Sequence, residues 1–141
     1  MAAVTRAFSS RPNRLRSATQ IFVVDGDRHT GLLLTKFLGE LGLETTCYSD
    51  GDAALAATRS ELPALVIAEV VAARLGGLEL CRTLKTDERT AAAKVLIFSV
   101  IGAAQRARES GADAFLSKPI DKTRFLGVVR ALLSHELELP S

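Results

Sequence analysis

Three stretches of the chain run apolar without alternation, and each stops at a polar side chain. Ile21-Phe22-Val23-Val24 leads into Asp25, Leu65-Val66-Ile67-Ala68 into Glu69, and Val95-Leu96-Ile97-Phe98 into Ser99. An unbroken apolar run of this length is how a strand buried on both faces reads. A charge inside such a strand would be strongly disfavoured, so Asp25 and Glu69 are expected at the strand mouths. A fourth run, Ala112-Asp113-Ala114-Phe115-Leu116-Ser117, delivers Lys118-Pro119. If these strands lie parallel, Asp25, Glu69, Ser99 and Lys118 gather at one end of one sheet.

Between the strands the apolar spacing changes to that of helices. Leu32, Leu33, Phe37, Leu38 and Leu41 recur at helical intervals and Gly42 is a natural stop. Glu44 to Tyr48 reads as a short second strand. Ser49 or Asp50 can cap a helix carrying Ala53, Ala54, Leu55 and Ala57 on one face, and Pro63 restarts the chain into the Leu65 strand. After Glu69 the paired Gly76-Gly77 predicts a tight turn, followed by a helix with Leu78, Cys81 and Leu84 inward, ending near Thr86. A short helix over about Ala103 to Ser110 precedes Gly111, and Asp121 can cap a last helix striped by Phe125, Val128, Val129, Leu132 and Leu133.

Five strands alternating with five helices predict an α/β domain with a parallel sheet covered on both faces. Right-handed crossovers make it doubly wound, with chemistry at the carboxyl ends of the strands beside a topological switch point. Asp25 and Glu69 are placed for that crevice.

Charge divides the chain unevenly. Arg6, Arg11, Arg14 and Arg16 lie within the first twenty residues, which hold no acid. Without them the net +2 becomes 14 basic against 16 acidic residues, so the body carries no basic stripe for nucleic acid. Residues 1–19 are expected to be a flexible basic extension, 20–136 the folded domain, and 137–141 a tail. No apolar run approaches membrane-spanning length. Cys47 and Cys81 stand far apart with no CxxC and no nearby His pair, which points to reduced thiols in a cytoplasmic protein and to no metal site.

The segments VVDGD (Val23–Asp27), LVIAEV (Leu65–Val70), GGLELCRTLK (Gly76–Lys85), Phe98-Ser99 and GADAFLSKP (Gly111–Pro119), in this order, resemble the receiver domain of two-component response regulators, the CheY-like family. The resemblance covers about Ile21 to Leu133. It implies a flavodoxin-like five-stranded parallel sheet of order 2-1-3-4-5 with five helices. It also implies a site made of an acidic pair that binds Mg²⁺, a phosphoacceptor Asp, a Ser or Thr, and a Lys. Asp25 matches the first acid, Ser99 the hydroxyl and Lys118 the lysine, with Pro119 after it.

Two positions depart from that pattern. Gly26 occupies the second acidic position, with Asp27 one residue beyond, and Glu69 stands where the phosphoacceptor Asp belongs. Glu is longer by one C–C bond, about 1.5 Å. In-line phosphoryl transfer depends on positioning and a metal clamp, and a misplacement of this order can cost about 100-fold. Losing a carboxylate at Gly26 weakens a Mg²⁺ site. The chain is therefore expected to be an atypical receiver that is not phosphorylated and binds Mg²⁺ weakly or not at all. It is not expected to be an enzyme. Glu69 either mimics a phosphorylated Asp or forms an ordinary salt bridge with Lys118.

The output face also departs from the family. Only twelve positions separate Ser99 from Gly111, which shortens the fourth-helix region, and Phe115 lacks the hydroxyl of the family's common switch Tyr. Phe115, Arg106 and Arg124 are the candidate anchors of a contact surface. The expected partner is a signalling protein: a kinase, another regulator, or a second copy in a homodimer. Ser99 has a plainer role available as a turn cap, and Phe115 as half-buried packing. Two other readings stand beside this one. Asp25-Gly26-Asp27 after an apolar strand resembles the opening motif of haloacid-dehalogenase-type phosphatases, and the chain could instead be a purely structural dimerisation domain.

Overall fold

A computed structural model describes residues 4–6, 19–71, 74–100 and 102–137, with the backbone alone for 4–6 and 135–137. The strands are β1 (Val4–Arg6), β2 (Gln20–Val24), β3 (Glu44–Tyr48), β4 (Leu65–Glu69), β5 (Lys94–Ser99) and β6 (Ala114–Ser117). The helices are α1 (Arg28–Gly39), α2 (Gly51–Ala57), α3 (Gly77–Thr86), α4 (Ala104–Glu109) and α5 (Lys122–Leu137). The sheet order is β1-β3-β2-β4-β5-β6. The five strands from β2 to β6 are parallel throughout, which is the expected 2-1-3-4-5 arrangement.

Strands β2 and β4 are fully buried, and their side chains alternate between two cores as a strand's period of two demands. Ile21, Val23, Leu65, Ile67, Leu96 and Phe98 face α1 and α5, where Leu34, Leu38, Phe125, Val129 and Leu133 close the layer. Phe22, Val24, Val66, Ala68, Val95 and Ile97 face the other way, against Ala54, Leu80, Cys81, Leu84 and Ala107. Each such large side chain withdrawn from water contributes about 1.5–3 kcal/mol before entropy is counted. Uniform apolar runs therefore arise here because both faces are covered.

Three expectations need correction. Residues 4–6, placed in the flexible extension, form an antiparallel edge strand with the register Val4↔Tyr48, Thr5↔Cys47 and Arg6↔Thr46. The rest of that extension, and residues 138–141 of the tail, lie outside the described residues. The apolar face of α1 is phased differently: Gly31, Leu34 and Leu38 are buried, while Leu32 and Leu33 are 52% and 42% exposed. Finally, Gly76 and Gly77 do not form the tight turn that paired glycines permit: Gly76 is extended at φ −76° and ψ 167°, and Gly77 already opens α3. Their role is space. A Cβ on Gly77 would lie 2.3 Å from the Glu69 carbonyl oxygen, so the start of α3 presses directly on the end of β4.

Elsewhere the local reasons for the elements hold. Asp50, and not Ser49, caps α2 by accepting the Ala53 N–H at 2.9 Å. Gly111 sits at φ +96° after α4, where the Ala112 N–H reaches back to the Ala107 carbonyl at 3.1 Å, a turn that L side chains resist.

The contact at Gly77 sets up a comparison of two glycines. Gly77→Ala should lower stability by about 1–3 kcal/mol through overpacking. Gly127→Ala, within α5 and with nothing within 4 Å of the added carbon, should raise it by about 1 kcal/mol through helix propensity. Urea denaturation midpoints moving in opposite directions would bear this out; equal shifts would not.

Candidate functional site

The parallel ladder brings β2, β4 and β5 to a common end. Val24 pairs with Ala68, and Glu69 pairs with Phe98, so Asp25, Glu69 and Ser99 leave the sheet side by side. Lys118 follows β6, and its N–H donates to the Ser99 carbonyl at 3.0 Å, which ties the lysine to the end of β5. The Lys118–Pro119 peptide is cis.

From there the Lys118 ammonium turns inward. Its Nζ lies 2.8 Å from Glu69 Oε1 and 3.2 Å from Asp25 Oδ2. It also rests 4.8 Å from the centre of the Phe98 ring, a cation–π contact. The side chains of Asp25 and Glu69 are 4% and 8% exposed and that of Lys118 17%, so water screens these pairs poorly. The remaining carboxylate oxygens are also engaged. Asp25 Oδ1 accepts the Asp27 N–H at 2.8 Å, and Glu69 Oε2 accepts the Val71 N–H at 3.3 Å. Burial pulls the Lys118 pKa down, but hydrogen bonding and attraction from Glu69 and Asp25 outweigh it and hold the ammonium above the ordinary lysine value.

Asp27 does not join this group as an acidic-pocket residue. Its carboxylate caps α1, with Oδ1 accepting the His29 N–H at 3.0 Å and Oδ2 the Thr30 hydroxyl at 3.1 Å. Those two bonds hold its pKa below the ordinary carboxylate range. Ser99 is fully buried at the end of β5. The donors a Mg²⁺ ion would need do not fit as arranged: Gly26 brings none, Asp27 is spent on the helix, and Asp25 already serves Lys118. Among the described residues no group of three or more His, Cys, Asp or Glu is placed to hold a metal ion.

The residues expected to form a contact surface are only partly united. Phe115 is half-buried on β6 opposite Ile97 and packs against the α2–α3 core. Together with Arg124 and Lys118 it lines a hollow of about 330 Å³ beside Pro119. Arg106 is exposed on α4 and does not line that hollow. Cys81 is buried with its thiol donating to the Ser110 carbonyl at 3.4 Å, and burial pushes its pKa up, so it serves packing.

Three features were not anticipated. A cleft of about 250 Å³ opens beside Asp25 between Gly26, Gly31, Leu32, Cys47 and Tyr48; the closely spaced glycines were its only signal. The Tyr48 carbonyl accepts the Asp25 N–H at 3.0 Å and so fixes the backbone of the acid. Phe98, read simply as strand core, is also the floor beneath the lysine.

Comparison with known proteins agrees with the fold. The profile of the response regulator receiver domain matches residues 21–130, and the chain belongs to that family. It is 33% identical over 124 residues to the response regulator PleD of Caulobacter vibrioides, covering 86% of this chain and 27% of PleD. It is 31% identical over 124 residues to RpaA of Synechocystis, a DNA-binding dual master transcriptional regulator, covering 86% of this chain and 52% of RpaA. The chain thus spans about half or less of these relatives. Among solved structures it superposes on the receiver domain of a signal transduction histidine kinase from Syntrophus aciditrophicus with a TM-score of 0.79 at 27% identity, covering 88% of this chain and 96% of that one. A response regulator from Chloroflexus aurantiacus shares the fold with a TM-score of 0.80 at 24% identity, covering 84% and 99%. The protein is a receiver domain of signal transduction, which sets aside the phosphatase alternative. No helix among the described residues is long and apolar enough to cross a membrane.

The ion-paired cluster makes a prediction about stability. Lys118→Met leaves two carboxylates facing each other without a cation, and should cost about 3 kcal/mol or more near neutral pH. Because folding raises the Lys118 pKa, its stabilisation is complete below about pH 10.4 and is lost as pH rises through the folded value. Urea titrations at about pH 8 and about pH 11 should show the gap between wild type and variant closing at the alkaline end. A gap that stays constant would mean that the ammonium charge is not its source.

Proposed function

We propose that this receiver domain works without phosphorylation and signals through standing protein contacts. One observation carries the reading: the side chain at the phosphoacceptor position, Glu69, is already paired with Lys118 at 2.8 Å. By the family resemblance that lysine would hold the incoming phosphoryl oxygens. The extra methylene of Glu69 lets its carboxylate reach the ammonium, while its other oxygen is taken by the Val71 N–H. Both oxygens are thereby engaged by donors, whereas phosphoryl transfer needs a carboxylate oxygen positioned to attack in line. Gly26 and the capping role of Asp27 act in the same direction, because they remove donors for Mg²⁺.

The Glu69–Lys118 pair then imitates part of a phosphorylated state. A carboxylate brings one negative charge where an acyl phosphate brings nearly two, so the imitation is partial. Contact is read on the face of α4, β6 and α5, where Arg106 and Arg124 are exposed and Phe115 is half-buried. The partner is a cytoplasmic signalling protein such as a kinase or another regulator. DNA binding, which is named for RpaA, is not carried over to this chain, whose body is mildly acidic.

Incubation with acetyl phosphate and Mg²⁺, followed by intact-mass and peptide mass spectrometry, should leave the wild type unmodified. The double variant Gly26→Asp with Glu69→Asp should accept a phosphoryl group at position 69. The nearest non-neighbouring atom to a Cβ at Gly26 is 3.9 Å away, so a side chain can start there without a clash. A phosphoryl adduct on Glu69 of the wild type would sink the proposal. For the contact face, Phe115→Ala or Arg124→Ala should weaken partner binding by about 2 kcal/mol, near 30-fold, if either is a central anchor. Isothermal titration with the partner also reads the site itself, since Glu69→Ala should weaken binding if the ion pair sets the signalling state.

A further inference from the structure

The edge of the sheet carries an addition that the receiver fold does not require. Strand β3 would end the parallel sheet, yet Val4–Arg6 pairs with it antiparallel at Tyr48, Cys47 and Thr46. The covered stretch Thr46-Cys47-Tyr48 contains no charged residue and no proline. Those are the devices that normally keep an edge strand from pairing with other chains, so this edge depends on being covered. The cover is small, three residues long, and within the sheet β1 touches β3 alone. A ladder this short opens easily.

The tether allows a choice of acceptor. Residues 7–19 join β1 to β2, and the two strands flank β3, so the cis path spans about 10 Å, two strand spacings. Thirteen residues can reach at most roughly 45 Å. The same three register pairs form whether β3 belongs to the same copy or to another, since every bond in the ladder is present on both. Choice between them is then set by concentration and tether, which is the condition for exchange of an arm between identical chains.

We infer that the β3 edge is a strand-acceptor surface whose exchange partner is the Val4–Arg6 strand of a second copy, so that two chains trade arms and form a symmetric dimer. The cis-paired form is the closed monomer, and the dimer grows where copies are brought together. The exchange reaches the receiver site through one residue. Tyr48 pairs with Val4 on one side, and its carbonyl holds the Asp25 N–H at 3.0 Å on the other.

The register supplies its own trap. Thr5 lies opposite Cys47, and paired residues in an antiparallel ladder have Cα atoms about 4.5–5.5 Å apart, within disulfide reach. In Thr5→Cys, treatment with the thiol oxidant diamide should join positions 5 and 47. Non-reducing electrophoresis over rising protein concentration should show a reducible dimer that grows several-fold relative to cross-linked monomer. It should be absent from the wild type and from Thr5→Cys with Cys47→Ala. Cross-linked monomer alone at every concentration would overturn the inference, because the arm would stay on its own copy. No cross-link at all would overturn it too, since the ladder would not be formed. A dimer of equal amount in the wild type would place self-association elsewhere.

Discussion

The end of the sheet depends on Lys118 standing between two acids. Asp25 and Glu69 are each almost wholly withdrawn from water and emerge from β2 and β4, adjacent strands whose register leaves no freedom to separate them. Two like charges about 4 Å apart at an effective dielectric of about 20 repel by about 4 kcal/mol. One ammonium in contact with both reverses that balance. The backbone ensures its delivery: the Lys118 N–H is bonded to Ser99 at the end of β5, so the lysine reaches the acids only if β6 is docked. The site therefore reports on the assembly of four strands.

Much of this could be read from the amino acids, and the reason is burial. Strands covered on both faces must be apolar throughout, so the place where each run stops marks the sheet end and names the residue that sits there. Asp25, Glu69, Ser99 and Lys118 were legible in this way. Asp27 was not, because a side-chain oxygen before a helix can serve a pocket or the helix's own N–H groups; the bonds to His29 and Thr30 decide for the helix. The phase of α1 is not legible in the same way, because Leu32, Leu33 and Leu34 are consecutive. Which of three leucines points inward depends on Cys47 and β3 beneath Gly31, and that is tertiary information. Strand β1 was invisible for a different reason. Three residues give no period, and an edge strand is held by backbone groups that every residue type possesses.

The two departures from the family pattern are consistent with each other. A receiver with two acids after its first strand, an acceptor carboxylate and one lysine holds excess negative charge, and a divalent cation compensates it. Here Gly26 removes one acid and Asp27 is turned to α1, leaving two carboxylates against one ammonium. That smaller excess is offset further by the Asp27 and Val71 N–H groups, each donating to a carboxylate oxygen. A site of this charge can be held together by the chain's own groups.

Length matters as much as charge. An aspartate at position 69 would fall about 1.5 Å short of the reach that glutamate has. Lys118 would then have to extend further or keep Asp25 alone as its partner, and the Phe98 ring beneath it would lose part of its contact. With glutamate, the ammonium satisfies two carboxylates and one aromatic face from a single position. Glu69 is thus the residue that closes the ion-paired cluster. Glu69 also anchors the loop beyond it, because the same side chain accepts the Val71 N–H while Gly77 packs on its carbonyl. A change at this residue would be felt at Lys118 on one side and at the start of α3 on the other.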